Sequence, residues 1–227
     1  MIQILADAAE VDAATSFLEK CRVHLHATRQ KNWDHYLAAK FLLNLDRTIS
    51  IADLGCGDGH SLAVYQQLGF RKLVGIDLRI SKSARLRRFL AFLRNPARIN
   101  FSLRQADITA TGLEPESIDF ISCVSVVEHG VPIGAFAREC HRILKPNGMA
   151  LITTDYWHNW SSTDNRDRNG YEWRIQNEDS LSGMITAFAE AGLPLRREQS
   201  IPKCKDITVE WHGRRYTFAA LWFQKSK

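Results

Sequence analysis

The stretch that decides the fold is Ile49-Ser50-Ile51-Ala52-Asp53-Leu54-Gly55-Cys56-Gly57-Asp58-Gly59. Its first half is a short apolar run typical of a strand, and its second half places glycine at every other position. Glycine adopts backbone angles that other residues avoid and lets the backbone approach a ligand closely. Residues 61–68 then show helical spacing, so the stretch predicts a strand, a ligand-binding loop and a helix.

The spacing of these glycines separates the loop from one common class. Loops that hold a pyrophosphate favour Gly-x-Gly-x-x-Gly, which this loop lacks. Asp53, placed before the first glycine, suits a cationic ligand group better than a phosphate. A nicotinamide-dependent dehydrogenase is therefore disfavoured. The loop alone is weak evidence for any ligand, because many strand-to-helix turns contain glycines.

Strand and helix patterns alternate on the C-terminal side of the loop. Strands are predicted at Leu73–Ile76, Ile99–Leu103, Ile118–Val124 and Met149–Thr153. Helices are predicted from Ser81 to Leu93, at Pro132–Leu144 and at Asp179–Ala191, and two further strands at Leu195–Ile201 and Tyr216–Phe223. This alternation predicts an α/β fold of the Rossmann-like, doubly wound kind.

The N-terminal part of the chain follows a different pattern. Residues 1–46 show apolar spacing typical of helices throughout, with a polar connection near residues 24–31. We therefore divide the chain into an N-terminal helical extension, 1–46, and a main domain, 47–227. The extension offers more apolar helix face than one domain needs, which makes a homodimer a possible arrangement.

Acidic residues follow the predicted strands at the edge where parallel sheets bind ligands. Asp77 ends the second strand, 24 residues after Asp53, where a carboxylate suits the hydroxyls of a ribose. Asp107 follows the third strand and can accept from an exocyclic amine. The segment Ser122–His129 ends the fourth strand, so four groups converge on one crevice.

These motifs together resemble the class I S-adenosylmethionine-dependent methyltransferases. The matching stretches are Asp53–Gly59, Gly75–Leu78, Gln105–Ile108, Ile118–Ile121 and Leu144–Gly148. Their number and order make the resemblance specific from residue 53 to residue 148. It implies a seven-stranded sheet whose last strand is antiparallel, with S-adenosylmethionine as cofactor and S-adenosylhomocysteine as product.

The resemblance also implies a role for individual residues. The cofactor-binding set that it predicts is Asp53, Gly55, Cys56, Gly57, Asp77, Leu78, Asp107, Ile108, Val124 and Ser125. Within that set the glycines lie beside the amino-acid portion, and Asp53 contacts the ammonium group or holds the loop. Asp77 and Leu78 contact the ribose and adenine, Asp107 and Ile108 the adenine, and the last two residues the methionine end.

Two residues are candidates for the general base. His129 is the first, because an imidazole is the side chain best suited to remove a proton from a hydroxyl near neutral pH. Asp155 follows the fifth strand and can reach an acceptor. The alternative for Glu128 and His129 is that they only shape the pocket or cap the next helix. No metal is predicted, because Ser125 stands where related Glu-x-x-Glu-His segments have their first glutamate.

The net charge of +5 has a local origin. Residues 78–106 contain eight basic and no acidic residues, which leaves 22 basic against 25 acidic elsewhere. Such a distribution disfavours a general nucleic-acid binder, and DNA base methylation is disfavoured further because no Asn/Asp-Pro-Pro-Tyr/Phe segment follows the fourth strand. Five scattered cysteines, no signal peptide and no transmembrane segment predict a cytoplasmic protein.

The sequence thus predicts methyl transfer to an oxygen or nitrogen of a small molecule or glycan. The stretches Thr154–Trp157 and Thr208–Trp211 resemble methyltransferases of surface-glycan biosynthesis. Two alternatives stay open: a non-catalytic protein that binds S-adenosylmethionine or S-adenosylhomocysteine, and an RNA methyltransferase that uses the basic segment. RNA is the less favoured partner because the remainder of the chain is slightly acidic.

Overall fold

The computed structural model of the chain describes residues 1–81, 101–161, 165–167 and 170–226. Five helices lie in these ranges, α1 Ala8–Lys20, α2 Asn32–Leu42, α3 His60–Gln67, α4 Ile133–Ile143 and α5 Glu178–Glu190. The strands are β1 Ile2–Ile4, β2 Ser50–Leu54, β3 Lys72–Asp77, β4 Phe101–Gln105, β5 Ile118–Val124, β6 Leu144–Tyr156, β7 Val209–Trp211 and β8 Arg214–Gln224.

One mixed sheet organises the fold, in the order β1-β8-β6-β5-β2-β3-β4, with the short β7 paired to β8 outside this path. The five strands β2 to β6 are mutually parallel, and β8 runs antiparallel between β6 and β1. The seven strands of the path confirm the predicted Rossmann-like order with an antiparallel last strand. The order reverses at β2, which lies between β3 and β5, and such a switch point creates a crevice at the carboxyl ends of the strands.

The edge beyond β8 differs from the prediction in two places. Helical spacing throughout residues 1–46 is wrong at Ile2–Ile4, which form β1 and pair with residues 219–221 of β8. The predicted strand Leu195–Ile201 is also wrong, since only Leu195 forms a single bridge, to Phe223. Both segments lie along the same edge of β8. Ile2–Ile4 pair with residues 219–221 of that strand, and Leu195 pairs only with Phe223.

The N-terminal helices pack against the sheet, so their apolar faces are covered within the chain. Val11, Ala14 and Leu18 of α1 are buried, and they share one hydrophobic core with Phe120 of β5 and Trp222 of β8. Asp7 caps α1 by accepting a hydrogen bond from the Glu10 amide at 2.9 Å. The apolar surface that suggested a homodimer is therefore used inside the chain, and the dimer stays a prediction.

Some predictions fall on residues that the structure does not describe. The predicted helix from Ser81 to Leu93 lies almost wholly outside the described residues. The same holds for most of the basic segment, of which only Arg79 and Arg104 are described. Among the helices of the described ranges, none has the length and apolar character needed to cross a membrane.

Gly75 in the middle of β3 allows the glycine-rich loop to lie against the sheet. A Cβ atom at Gly75 would lie 2.6 Å from Cys56 Sγ and 2.7 Å from a methyl carbon of Leu62. Both distances are below van der Waals contact, so any larger residue must displace the loop or α3.

We therefore expect Gly75→Ala to lower the free energy of unfolding by about 1–3 kcal/mol through overpacking. Gly183, exposed in α5, has open space where a Cβ would lie and is the matched control. Gly183→Ala is expected to raise stability by up to about 1 kcal/mol, because alanine is the better helix former. Urea unfolding measures both variants, and equal changes of the same sign would contradict this account of the packing.

Candidate functional site

The loop between β2 and α3 turns back onto the end of β3. The amides of Gly55 and Cys56 both donate to the carbonyl of Ile76, at 2.8 and 3.1 Å. Gly55 has a φ of +78°, and a Cβ there would lie 2.3 Å from a methyl carbon of Val126. Gly57 has a φ of +51°, so the two glycines meet a backbone requirement that the sequence pattern indicated.

Asp53 lies behind this loop. It is buried, and its Oδ1 accepts a hydrogen bond from Ser122 Oγ at 2.6 Å. Burial raises the pKa of Asp53 to about 7, although hydrogen bonds from Ser122 and Ser61 lower it. Of the two roles predicted for Asp53, this geometry favours holding the loop against β5. Cys56 is likewise buried, with Sγ near Gly75.

Asp77 connects the loop to the end of β3. Its Oδ2 accepts from the Gly57 amide and its Oδ1 from the Arg79 amide, each at 2.8 Å. Each carboxylate oxygen keeps a further lone pair for a ligand. The next residue, Leu78, is 60% exposed although it is apolar. An exposed leucine beside a half-buried carboxylate is suited to contact a ligand that is partly apolar and partly hydroxylated.

A cavity of about 160 Å³, which we call the Asp77 cavity, opens at this edge. Its lining residues are Gly55, Asp77, Leu78, Asp107, Ile108, Thr109, Val126, His129, Gly130, Val131 and Pro132. Five of the ten predicted cofactor residues belong to this lining. Of the other five, Asp53 and Cys56 lie behind the loop, Gly57 bonds to Asp77, and Val124 ends β5. Ser125 lines the next cavity instead.

A second cavity of about 240 Å³, the Asp155 cavity, lies on the other side of the segment that follows β5. Its lining residues are Lys31, Ser125, Glu128, His129, Asp155, Asp167, Trp173, Trp211 and Tyr216. It combines carboxylates with three large aromatic side chains, which come from the β7–β8 hairpin and from residues 157–177 between β6 and α5, a segment that we call the long loop. Aromatic walls with a few polar groups are typical of small-molecule sites.

His129 lines both cavities. The carbonyl of Glu172 accepts a hydrogen bond from its Nδ1 at 2.9 Å. In the neutral imidazole this bond places the hydrogen on Nδ1 and leaves Nε2 with a free lone pair. The ring is exposed and belongs to a short 3₁₀ turn, Val127–His129. His129 is therefore placed where a proton acceptor between the two cavities is needed.

Asp155 is the most unusual side chain of the second cavity. It is only 4% exposed, and its Oδ2 accepts from Trp173 Nε1 at 2.7 Å. Its Oδ1 is buried and has no partner in hydrogen-bonding geometry in the described part of the chain, although the Tyr216 hydroxyl lies close to the carboxyl group. Burial raises the pKa of Asp155, and Lys31, Trp173, His129 and Tyr216 oppose that rise. A buried acceptor without a partner is costly unless a ligand supplies the donor.

Two residues of the N-terminal segment reach this cavity, and the sequence analysis missed both. Lys31 Nζ donates to Ser125 Oγ and lies 4.0 Å from Asp34 Oδ2. Asp34 is fully buried in α2, and neither of its oxygens has a hydrogen-bond partner in the ranges described. An acidic residue on the apolar face of a helix was the available signal, since buried carboxylates without a partner are rare outside functional sites.

The described residues contain no group of three or more His, Cys, Asp or Glu side chains arranged to hold a metal ion. Ser125, in the position where a first glutamate would stand, bonds to Lys31, and Glu128 is buried against Thr154. Thr154 Oγ1 donates to Glu128 Oε2 at 3.2 Å.

Sequence comparison connects this site to known proteins. Residues 52–152 match the family described as "Methyltransferase domain". A ubiquinone biosynthesis O-methyltransferase from Neisseria meningitidis is 31% identical over 104 residues, which are 46% of this chain and 43% of that protein. One from Bradyrhizobium diazoefficiens is 29% identical over 121 residues, 53% of this chain and 45% of that protein. The matches thus span less than half the length of these relatives.

Solved structures share the fold at low identity. The YcgJ protein from Bacillus subtilis has a TM-score of 0.60 at 17% identity, covering 86% of this chain and 98% of that one. Phosphoethanolamine N-methyltransferase 2 from Haemonchus contortus, solved with S-adenosyl-L-methionine, has a TM-score of 0.61 at 15% identity, covering 86% and 53%. These likenesses show the fold, and the match to the methyltransferase domain family covers residues 52–152, less than half of the chain.

Proposed function

We propose that this chain transfers the methyl group of S-adenosylmethionine to an oxygen atom of a small-molecule acceptor in the cytoplasm. The observation that carries the proposal is the pair of cavities that meet at His129, one of them at the glycine-rich loop. The relatives are named O-methyltransferases, which supports oxygen as the acceptor atom. Five free cysteines support a reducing compartment.

The lining of the Asp77 cavity suits this cofactor. Asp77 and Asp107 are acceptors, and the cofactor offers ribose hydroxyls, an ammonium group and an adenine amine as donors. Leu78 and Ile108 supply the apolar surface that an adenine ring requires. At Gly55 the backbone itself lines the cavity, and a side chain there would collide with Val126. These residues would therefore hold the cofactor.

The chain's own residues have two tasks in the transfer. When bound, S-adenosylmethionine supplies a methyl group already activated by its sulfonium, so the protein mainly aligns the acceptor. Asp155 Oδ1 would accept a hydrogen bond from a second hydroxyl of a catechol acceptor and so orient the oxygen that reacts. His129 Nε2 would take the proton of the reacting hydroxyl and release it to solvent.

A glycan acceptor is the second candidate, because one observation favours it. Trp211 lines the Asp155 cavity and is 58% exposed, and an exposed aromatic ring beside carboxylates suits a sugar. The RNA alternative gains no support, because the segment on which it rests lies mostly outside the described residues. A non-catalytic binder is disfavoured by the second cavity, which a simple cofactor-binding protein does not require.

Calorimetric titration of S-adenosylhomocysteine tests the cofactor site. Asp77→Ala removes a charged acceptor, and hydrogen bonds to charged groups contribute about 1.5–3 kcal/mol each, so we expect binding to weaken more than about tenfold. Asp179→Ala, an exposed acid in the first turn of α5, is the matched control and should bind like wild type. No binding by folded wild-type protein would contradict the cofactor assignment.

Transfer of a radiolabelled methyl group tests the acceptor. We expect catechols and phenols to be methylated in preference to primary amines, saccharides and RNA. With the best acceptor, His129→Gln and Asp155→Asn should each lower kcat by about 10²–10⁴-fold, the range typical of general acid–base groups. His24→Gln and Asp179→Asn are the matched controls outside both cavities. Preferred methylation of saccharides would select the glycan alternative, and unchanged kcat in both variants would contradict the assigned roles.

A further inference from the structure

The N-terminal segment places one cation among three buried carboxyl groups. Lys31, just before α2, lines the Asp155 cavity, and its side chain is 21% exposed. The three carboxyl groups are Asp34 in α2, Glu128 after β5 and Asp155 at the end of β6, and each is at least nine-tenths buried. In the described part of the chain, Lys31 is the cation whose charge acts on all three carboxyl groups.

The position of Lys31 is fixed from several sides. Its Nζ donates to Ser125 Oγ, lies 4.0 Å from Asp34 Oδ2 and stands 4.2 Å from the centre of the Phe218 ring. Ser125 follows β5, and Phe218 belongs to β8. The ammonium therefore contacts the N-terminal segment, the segment after β5 and the last strand at the same time.

The electrostatic effect of Lys31 has the same sign on all three acids. Burial raises the pKa of Asp34 to about 7 and that of Glu128 to about 8, and it also raises the pKa of Asp155. The positive charge of Lys31 lowers all three values. The other ionisable groups facing the cluster in the described ranges are His129 after β5, Asp167 from the long loop, Tyr216 from β8 and, on the side of Asp34, Tyr65 from α3.

We propose that Lys31 is a positioning residue of the acceptor site, whose ammonium keeps the Asp155 carboxyl ionised so that its unpartnered oxygen accepts the hydrogen bond of an acceptor hydroxyl. The role in orienting the acceptor rests on the proposed function, whereas the charge effect does not. Without Lys31 the pKa of the buried Asp155 carboxyl rises further, which favours its protonated form. A protonated Asp155 donates a hydrogen bond instead of accepting one, and the acceptor oxygen is then oriented wrongly.

Thermal stability as a function of pH tests the charge effect without any acceptor. In the unfolded chain these carboxyls titrate near pH 4. Their pKa values are raised in the folded state, so the folded protein binds more protons and stability falls as pH rises from about 4 to about 8. Removing Lys31 raises the folded-state pKa values further, and the fall in stability then extends to higher pH.

We therefore expect the melting temperature of Lys31→Met to be close to that of wild type at pH 5. At pH 9 it should be lower by about 3 °C or more, since one pKa unit corresponds to a few degrees for a chain of this size. Lys31→Arg should remove most of this difference because it keeps the charge. Lys40→Met, at an exposed position of α2, is the matched control. Its melting temperature should differ from that of wild type by the same amount at pH 5 and at pH 9.

A melting-temperature loss of equal size at pH 5 and pH 9 would overturn the proposal, because lost packing alone does not depend on pH. An equal loss in Lys31→Arg would overturn it as well. With an acceptor in hand, the acid limb of the kcat/KM profile should move to higher pH in Lys31→Met and return in Lys31→Arg. If the melting-temperature difference between Lys31→Met and wild type depends on pH but the kcat/KM profile does not move, the charge effect is supported and its role in the reaction is refuted.

Discussion

The register of three parallel strands is the constraint on which the rest of the structure depends. β2 pairs with β3 so that Asp53 faces Gly75, and with β5 so that Asp53 faces Ser122. This alignment brings the ends of all three strands to one edge, where the loop folds back onto Ile76. If β2 were shifted by one residue relative to β3, Asp53 and Gly75 would lie on opposite faces of the sheet. The loop would then lose both its anchor and the space into which it packs.

The second determinant of the site is the cost of burying carboxyl groups. Asp53 meets this cost with a hydrogen bond from Ser122, which fixes the cofactor loop. Asp34, Glu128 and Asp155 share one ammonium, and two of the three keep oxygen atoms without partners in the described chain. The hydrogen bond of Asp53 serves the structure of the loop. The cluster of three carboxyl groups has acceptor oxygens without partners beside an open cavity, which is characteristic of a ligand-binding site.

Local patterns allowed most of the sheet and one half of the site to be predicted. The glycine-rich loop, Asp77 and Asp107 are tied to strand ends, and the ends of parallel strands meet at one edge whatever the rest of the chain does. Lys31 and Asp34 lie more than ninety residues before Ser125 in the chain, and no local pattern links a helix start to a distant strand end. The prediction for the edge strand β1 was wrong for a similar reason. Ile2–Ile4 is too short to show the alternation typical of a strand, so the helical spacing of the following residues was extended over it. These three residues form a strand because they pair with β8.

The pairing of β1 with β8 has a consequence for the order in which the protein is made. Ile2 lies opposite Leu221, so β1 is synthesised long before the strand that it pairs with. Until β8 has emerged, the free edge of β6 and the apolar side chains of α1 and α2 have no complete surface to cover them. Such distant contacts close long loops and slow folding. The nascent chain is therefore exposed to aggregation until β8 is available, and a chaperone that shields sheet edges would help most during that interval.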